Sequence, residues 1–337
     1  MEKLLTIVIP MYNMERYIDQ CLTSLIIPEG MERMEVLIVN DGSKDRSPEM
    51  AHGYESRYPQ TFRVIDKENG NYGSCVNRGL SEATGKYIRI LDADDFYETA
   101  NLPGFLDFLA TVDLDMVFTE FRRTDGDGRP GKRTHVLRKP GVTYGVRDLF
   151  RPRLHITMHC VTYRTAMLRR IGYVQTEGIS YTDHEWVFWP LAMIRDWQYY
   201  PRVIYNYRVG REGQTVNPEV LVRSMPQAIR GMLVTVRQYE QMKDELDANR
   251  RQFLLGRLVE RAKFEYKPFL LRHYDLLKPH IQQLIDMDRT LAEISPDTYR
   301  ATARIRVHLL CFPYYYVRRW RESGYDGNLL GLRLKRK

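Results

Sequence analysis

Apolar residues follow two rhythms along the first half of this chain: short unbroken runs, and runs at helical spacing. Leu5 to Pro10 is a continuous β-branched run, which predicts a buried strand. Asn13 is placed to cap a helix, and Met14, Tyr17, Ile18, Cys21, Leu22 and Leu25 follow on one helical face. Glu35 to Asn40 predicts a second strand. Ser47 as cap, with Pro48 at the first helical position, opens a second helix. Phe62 to Asp66 predicts a third strand. It runs into the two-glycine loop Lys67-Glu-Asn-Gly-Asn-Tyr-Gly73. Ser74 to Thr84 predicts a helix stopped by Gly85, and Tyr87 to Leu91 a fourth strand. Strand alternating with helix in this way implies a mostly parallel α/β sheet with helices on both faces.

Further strands are expected at Asp115 to Glu120 and Trp197 to Tyr207, and a helix at Tyr181 to Met193. The stretch Thr157 to Met167 fits either element. Thr124 to Lys132 begins like a calcium loop. The acid such a loop needs at its end would be Val136, so a turn is expected instead. After about residue 217 the apolar positions of Met225 to Leu246 and Phe253 to Leu270 fall at helical spacing. The expected organisation is an α/β domain at 1–216 and a helical region at 217–337.

Charge adds one fact to this pattern. The net charge is +8 over 337 residues. Residues 300–337 hold ten Lys/Arg against Glu322 and Asp326, so the remainder is neutral. A neutral body argues against nucleic-acid binding. The basic tail mixes its arginines with Tyr314, Tyr315, Tyr316 and Trp320. Two readings stay open for it: packing between helices, or peripheral attachment to an anionic inner leaflet. Leu4 to Met11 lacks a small-x-small cleavage site and reads as a strand, not a signal peptide. Cys21, Cys75, Cys160 and Cys311 show no ligand spacing, and reduced cysteines in a cytoplasmic protein are expected.

Candidate chemistry gathers where the fourth strand ends. Asp92, Asp94 and Asp95 fall within four positions. Like charges at the end of a buried strand are costly unless a cation or a hydrogen-bond set compensates them. Mg²⁺ and similar hard ions take carboxylates plus substrate phosphates, and α/β sheets bind ligands at strand carboxyl ends. The alternative is a helix cap with solvated neighbours.

Four ordered motifs decide between these. Val8-Ile-Pro-Met-Tyr-Asn13, Val39-Asn-Asp-Gly-Ser43, Asn69-Gly-Asn-Tyr-Gly73 with Asn77-Arg-Gly79, and Leu91-Asp-Ala-Asp-Asp95 together resemble the family 2 glycosyltransferases. These are inverting enzymes of the GT-A fold, here of the bacterial cell-surface polysaccharide type. Thr182-Asp-His-Glu-Trp186 is similar to the family's Glu-Asp-x-Glu-Phe stretch, with Thr182 in place of the first acid. The pieces span residues 4–215.

The resemblance implies a nucleotide-sugar donor, UDP-linked, a glycan or lipid-linked acceptor, and Mn²⁺ or Mg²⁺. Pro10, Tyr12 and Asn13 would line the base, Tyr12 by stacking. Asp41 would accept a base donor. Asn69 and Gly70 would let backbone approach the nucleotide. Arg78 would reach a phosphate or else be a solvated helix residue. Asp92 and Ala93 would face the ribose or a metal-bound water, and Asp94 would ligate the metal. Asp95 would cap the next helix or orient Asp94. Asp183 would be the general base, or else complement a helix dipole. His184 is expected to be structural, and Glu185 to bond backbone or acceptor. Arg208 and Arg211, near Gln214, would bind the diphosphate or be surface charges.

A sugar nucleotidyltransferase would share the sheet. It would carry a Gly-rich basic loop after the first strand, which Pro10 to Asn13 lacks. A non-catalytic binding module would not need Asp94 and Asp183.

Overall fold

The first two apolar runs form the middle of a sheet. β1 (Leu5–Met11) and β2 (Met34–Asn40) are buried at every position. That is the pattern of strands covered on both faces. The computed structural model describes residues 3–134, 136, 138–150, 154, 156–210, 218–270, 281–303, 328–329 and 332–333. The chain divides into two compact units, Met1–Glu212 and Gly213–Lys337.

In the first unit β3 (Phe62–Asp66), β2, β1 and β4 (Tyr87–Ile90) run parallel in that order. The other strands are β5 (Phe96–Tyr97), β6 (Met116–Thr124), β7 (Pro130–Arg133), β8 (Tyr144–Gly145), β9 (Val161–Arg164) and β10 (Asp196–Arg208). The sheet continues from β4 through β9, β6 and β10 to β5. β9 is antiparallel to both β4 and β6, whereas β10 is parallel to β6. The sheet is therefore mixed. Register sets Met11 beside Asn40 and Asn40 beside Asp66, so the loops after β1, β2, β3 and β4 open on one edge.

Helices α1 (Ile18–Thr23), α2 (Ser47–Arg57), α3 (Asn71–Glu82) and α4 (Leu102–Thr111) fill the connections. α3 lies on β1 and β2. Gly79 permits this, because a Cβ there would sit 2.6 Å from Val8 Cγ2. Overpacking of that kind costs about 1–3 kcal/mol.

Several expectations change. Asn13 does not cap a helix. Its φ is 54°, its side-chain oxygen accepts from Lys44 N–H at 2.8 Å, and α1 starts only at Ile18. Ser47 lies inside α2, after Arg46, where its N–H meets Asp45 Oδ1 at 3.0 Å. α3 starts at Asn71, ahead of Ser74. Gly85 does not end α3. It is glycine because Thr6 comes close, and its N–H donates to Thr6 Oγ1 at 2.9 Å. Thr157 to Met167 resolves into a 3₁₀ turn (Met158–Cys160), β9 and the start of α5 (Thr165–Arg170). The helix expected at Tyr181 to Met193 is a five-residue 3₁₀ turn (Asp183–Val187) and the short α6 (Trp189–Met193). Pro190 cannot donate a helical hydrogen bond, and Tyr181 has φ 64°. Asp125 forms a turn, accepting from Asp127 and Arg129 N–H.

The second unit contains α7 (Pro218–Met242), α8 (Ala248–Leu270) and helices Ile281–Ile294 and Pro296–Ala301. Met225, Met232, Val236, Tyr239, Leu254, Leu258, Leu284, Met287 and Leu291 are buried there at the helical spacing of the sequence. Ser295 caps the last of these helices, accepting from Thr298 N–H at 3.3 Å. The stretch Ile305 to Trp320 and most of the basic tail lie outside the described residues. Among the described residues no helix is long and apolar enough to cross a membrane.

Candidate active site

β4 delivers its acids into a tight turn, closed by Asp95 N–H on the Asp92 carbonyl at 2.9 Å. β10 then fixes that turn. Tyr205 donates its hydroxyl to Asp95 Oδ2 at 2.6 Å and accepts from Asp92 N–H at 3.1 Å. Arg208 N–H reaches Asp95 Oδ1 at 2.7 Å. Asp95 is thus tied to β10 and caps no helix, as β5 follows it directly. Tyr72, from the start of α3, donates to Asp92 Oδ1 at 2.7 Å. Ala93 and Asp94 are buried in the same turn. Burial, then Asp94 and Asp92, push the Asp95 carboxyl well above its ordinary value. Burial, then Asp92 and Asp95, push up the Tyr205 hydroxyl.

Arg208 is buried, and its guanidinium serves the turn itself. Nε donates to the Asp94 carbonyl at 2.8 Å and Nη1 to the Gly126 carbonyl at 2.6 Å. Nη2 meets Gln20, and Tyr17 and Phe96 lie against the guanidinium. Arg211 and Gln214 lie outside the described residues.

His159, in the turn before β9, joins the acids. One ligand atom each from Asp92, Asp95 and His159 lie within 4.8 Å of one another. Two carboxylates and an imidazole make a chemically suitable set for a divalent cation. Asp94, which the sequence singles out as the ligand, shares the turn but is not one of these three.

The second half of the site lies at the ends of β2 and β3. Asp41 is buried, and its Oδ1 accepts from Lys67 Nζ at 2.6 Å and Gly70 N–H at 2.9 Å. Asn69 Nδ2 donates to the Asp41 carbonyl at 2.9 Å. Pro10 is within β1, while Tyr12 just beyond it is 46% exposed, its ring open to a stacking partner. Asn13 N–H holds Ser43 Oγ at 3.1 Å, which joins the loops after β1 and β2.

Arg78 is not brought to either half. Its Nε pairs with Glu82 Oε1 at 2.6 Å, one helical turn on, and Arg63 shares that acid. The Arg78 side chain is half exposed and paired along its own helix.

Asp183 opens its 3₁₀ turn and is exposed, whereas Thr182, Glu185 and Trp186 turn inward. Glu185 Oε2 accepts from Thr176 N–H at 2.8 Å, so Glu185 serves the 175–178 loop. His184 Nδ1 bonds the Tyr181 carbonyl at 2.6 Å. The same loop rests on α3. Gly178 N–H reaches the Gly70 carbonyl at 2.9 Å, and Asn77 pairs with Gln175. Gly73 has no room for a Cβ because the Thr176 carbonyl lies against it. Burial and then Asp92 raise the Tyr72 hydroxyl, and burial and then Asp95 raise that of Tyr207, with Asp183 adding a smaller push to each.

Residues 6–172 match the family model described as glycosyl transferase family 2. The chain belongs, through this domain, to glycosyl transferase family 2. The chain is 30% identical over 185 residues to the uncharacterized glycosyltransferase EpsJ of Bacillus subtilis (strain 168), covering 53% of each chain. It is 26% identical over 213 residues to the minor teichoic acid biosynthesis protein GgaB of the same organism, 62% of this chain and 23% of that one. The chain thus spans about half or less of these relatives. In structure, the chain is similar to S. aureus TarS 1–349 in complex with UDP-GlcNAc, with TM-score 0.61 and 18% identity over 97% of this chain and 95% of that one. Mannosyltransferase PcManGT from Pyrobaculum calidifontis, in complex with GDP-Man and Mn²⁺, gives TM-score 0.52 at 15% identity over 90% and 87%. The fold of the family 2 domain is GT-A.

Sequence reasoning passed over Tyr72, Tyr205, Lys67 and His159. Lys67 carried a usable signal, a lysine directly after a strand and before Asn-Gly. Tyr205 and His159 carried none, because strand alternation and an ambiguous stretch concealed them.

Proposed function

We propose that this family 2 glycosyltransferase moves a sugar from a UDP-linked donor, with inversion, to a glycan or lipid-linked acceptor in cell-surface polysaccharide synthesis. The observation that carries this is the turned acid cluster at the end of β4, held by Tyr205, Arg208 and Tyr72. The UDP-GlcNAc complex of the similar TarS and the teichoic acid role in the name of GgaB support the donor and pathway class.

Asp94, with Asp92, Asp95 and His159 about it, would hold Mn²⁺ or Mg²⁺. When bound, such an ion supplies positive charge to the departing diphosphate. Asp41 and Lys67 offer an acceptor and a donor side by side to the base, and Tyr12 a stacking face. Asn69 and Gly70 bring backbone to the nucleotide. Arg208 holds the acid turn in place, and Arg211 would face the diphosphate. Asp183 takes the acceptor's proton on the face opposite the leaving group. A 3₁₀ turn of five residues carries little macrodipole, which weakens the alternative of dipole complementation. Residues 1–216 form the catalytic domain in this reading. The basic tail of 217–337 meets the inner membrane face in the cytoplasm.

The test is turnover with a panel of nucleotide-sugars and Mn²⁺, reading nucleoside diphosphate release, for wild type and Asp183→Asn. Asparagine keeps the shape but cannot accept the proton. Transfer should fall by about 10²–10⁴-fold while donor affinity survives. Near wild-type turnover in the variant would remove Asp183 as base. No release with any donor would overturn the enzyme reading.

A further inference from the structure

We propose that Tyr207 and Arg123 are paired donors that hold the transferred sugar of the nucleotide-sugar. This rests on the glycosyl-transfer reading above. Ionised carboxylates only accept hydrogen bonds, whereas each sugar hydroxyl both donates and accepts. Asp92, Asp94, Asp95 and Asp183 therefore meet only half of what a sugar offers. The matching donors must come from other residues of the site. Tyr207 lies beyond the family 2 match at residues 6–172, and Arg123 faces it from the neighbouring strand.

Strand direction brings the pair to the site. β9 is antiparallel to β4 and to β6, and β10 is parallel to β6, so β6 and β10 run the same way as β4. Their carboxyl ends open on the edge where β4 delivers the acid turn, the edge at which α/β sheets bind ligands. The register between β6 and β10 is regular here: Phe121 lies beside Tyr205, and Arg123 beside Tyr207. Side chains two positions apart share a face. Phe121 and Tyr205 both lie against the His159 ring, with centroids at 5.2 and 4.8 Å. Arg123 and Tyr207 therefore stand on that same face, about 7 Å nearer the open edge.

Tyr205 commits its hydroxyl to Asp95 and Asp92. Among the described residues the Tyr207 hydroxyl has no hydrogen-bond partner, and the Arg123 guanidinium has neither an ion pair nor a hydrogen bond. Tyr207 is half-buried and Arg123 exposed. The Tyr207 ring is held all the same. Its centroid lies 4.4 Å from that of His159, and its carbonyl accepts from Thr124 Oγ1 at 3.4 Å. The turn under it is anchored by the buried Arg89, whose guanidinium donates to the His159 carbonyl. That turn, Met158–Cys160, packs against β10 and against the Asp183–Val187 turn. His159 adjoins the acids on one side, while its turn adjoins that of Asp183 on the other. In an inverting transfer the leaving group and the base lie on opposite faces of the sugar, so the sugar ring occupies this interval. A phenol is protonated at neutral pH, and a guanidinium offers five donors in a planar fork.

The experiment is calorimetric titration of the full chain in MnCl₂ with UDP, UDP-glucose, UDP-galactose and UDP-GlcNAc, for wild type, Tyr207→Phe and Arg123→Gln. Phenylalanine keeps the ring on His159, and melting curves establish that both variants are folded. For the sugar nucleotide that wild type binds most tightly, Tyr207→Phe should lose about 3–10-fold in affinity and Arg123→Gln about 10–100-fold. Affinity for UDP should stay within about twofold in both. A sole loss on the sugar nucleotide is what a contact to the sugar produces and a merely structural role does not. Parallel loss of UDP affinity makes the nucleotide the group that is held and overturns the sugar contact. A folded variant with unchanged sugar-nucleotide affinity overturns the pair, and the donor reading stands without it. A wild type that binds neither UDP nor any of the three sugar nucleotides overturns the donor reading itself.

Discussion

Replacing Tyr205 by phenylalanine removes one oxygen from the centre of the candidate site. The ring keeps its place beside Tyr97 and His159 at 5.8 and 4.8 Å. Two bonds go: the donation to Asp95 Oδ2 at 2.6 Å and the acceptance from Asp92 N–H at 3.1 Å. A hydrogen bond to a charged group contributes about 1.5–3 kcal/mol, and an orphaned buried N–H costs about 1–3 kcal/mol. With partial relaxation the loss is about 3 kcal/mol. For a unit the size of Met1–Glu212 that corresponds to a melting temperature lower by about 6–12 °C.

The loss should also depend on pH. Burial and the neighbouring acids raise the folded-state pKa of Asp95, and the Tyr205 bond opposes that rise. A carboxyl raised on folding stabilises below its unfolded value, about 3.9, and loses that contribution as pH rises through the folded value. Without the hydroxyl the folded value moves higher still. The penalty of Tyr205→Phe is therefore largest near neutral pH and shrinks toward pH about 4. Calorimetric melting of both proteins at two pH values measures it. A neutral-pH shift under about 3 °C, or a penalty that grows on acidification, would refute the reasoning.

Asp94→Ala should weaken UDP binding in the presence of Mn²⁺ by at least about tenfold, and calorimetry showing wild-type affinity would exclude Asp94 from the cation site. Gly73→Ala sets a methyl against the Thr176 carbonyl and should cost about 1–3 kcal/mol. A neutral melting temperature would show that the 175–178 loop does not need that closeness. His52 bonds Glu55 first and Asp66 second, and both raise its pKa. Its contribution is present below about pH 6.5 and is lost as pH rises through the folded value. His52→Gln should thus cost about 0.5 kcal/mol in acid, a figure discounted for the exposure of the ring, and nothing at alkaline pH. Urea midpoints that differ equally at both pH values would contradict this.

Local pattern determined most of the elements and the ends of the strands where ligands can sit. β1 and β2 could be read from their apolar runs, since a strand covered on both faces must be apolar throughout. Asp92, Asp94 and Asp95 could be read because like charges crowded at the end of a buried strand are costly enough to need a reason, and Asp183 only through the family stretch that its neighbours resemble. Even the fate of Arg78 was open to inspection, with Glu82 four residues on. Arg208 shows the limit. The sequence placed a cation at a strand end, but only the packing turned it into the turn to hold Asp94 and Asp95. Tyr205 meets Asp95 across 110 positions, and Arg89 meets His159 across 70. Those meetings depend on β9 inserting antiparallel between β4 and β6, and on β10 lying beside β6. Propensity and periodicity act over a few residues. Strand order is decided by how whole faces bury against one another, so the partners that orient the acids were settled only when the sheet closed.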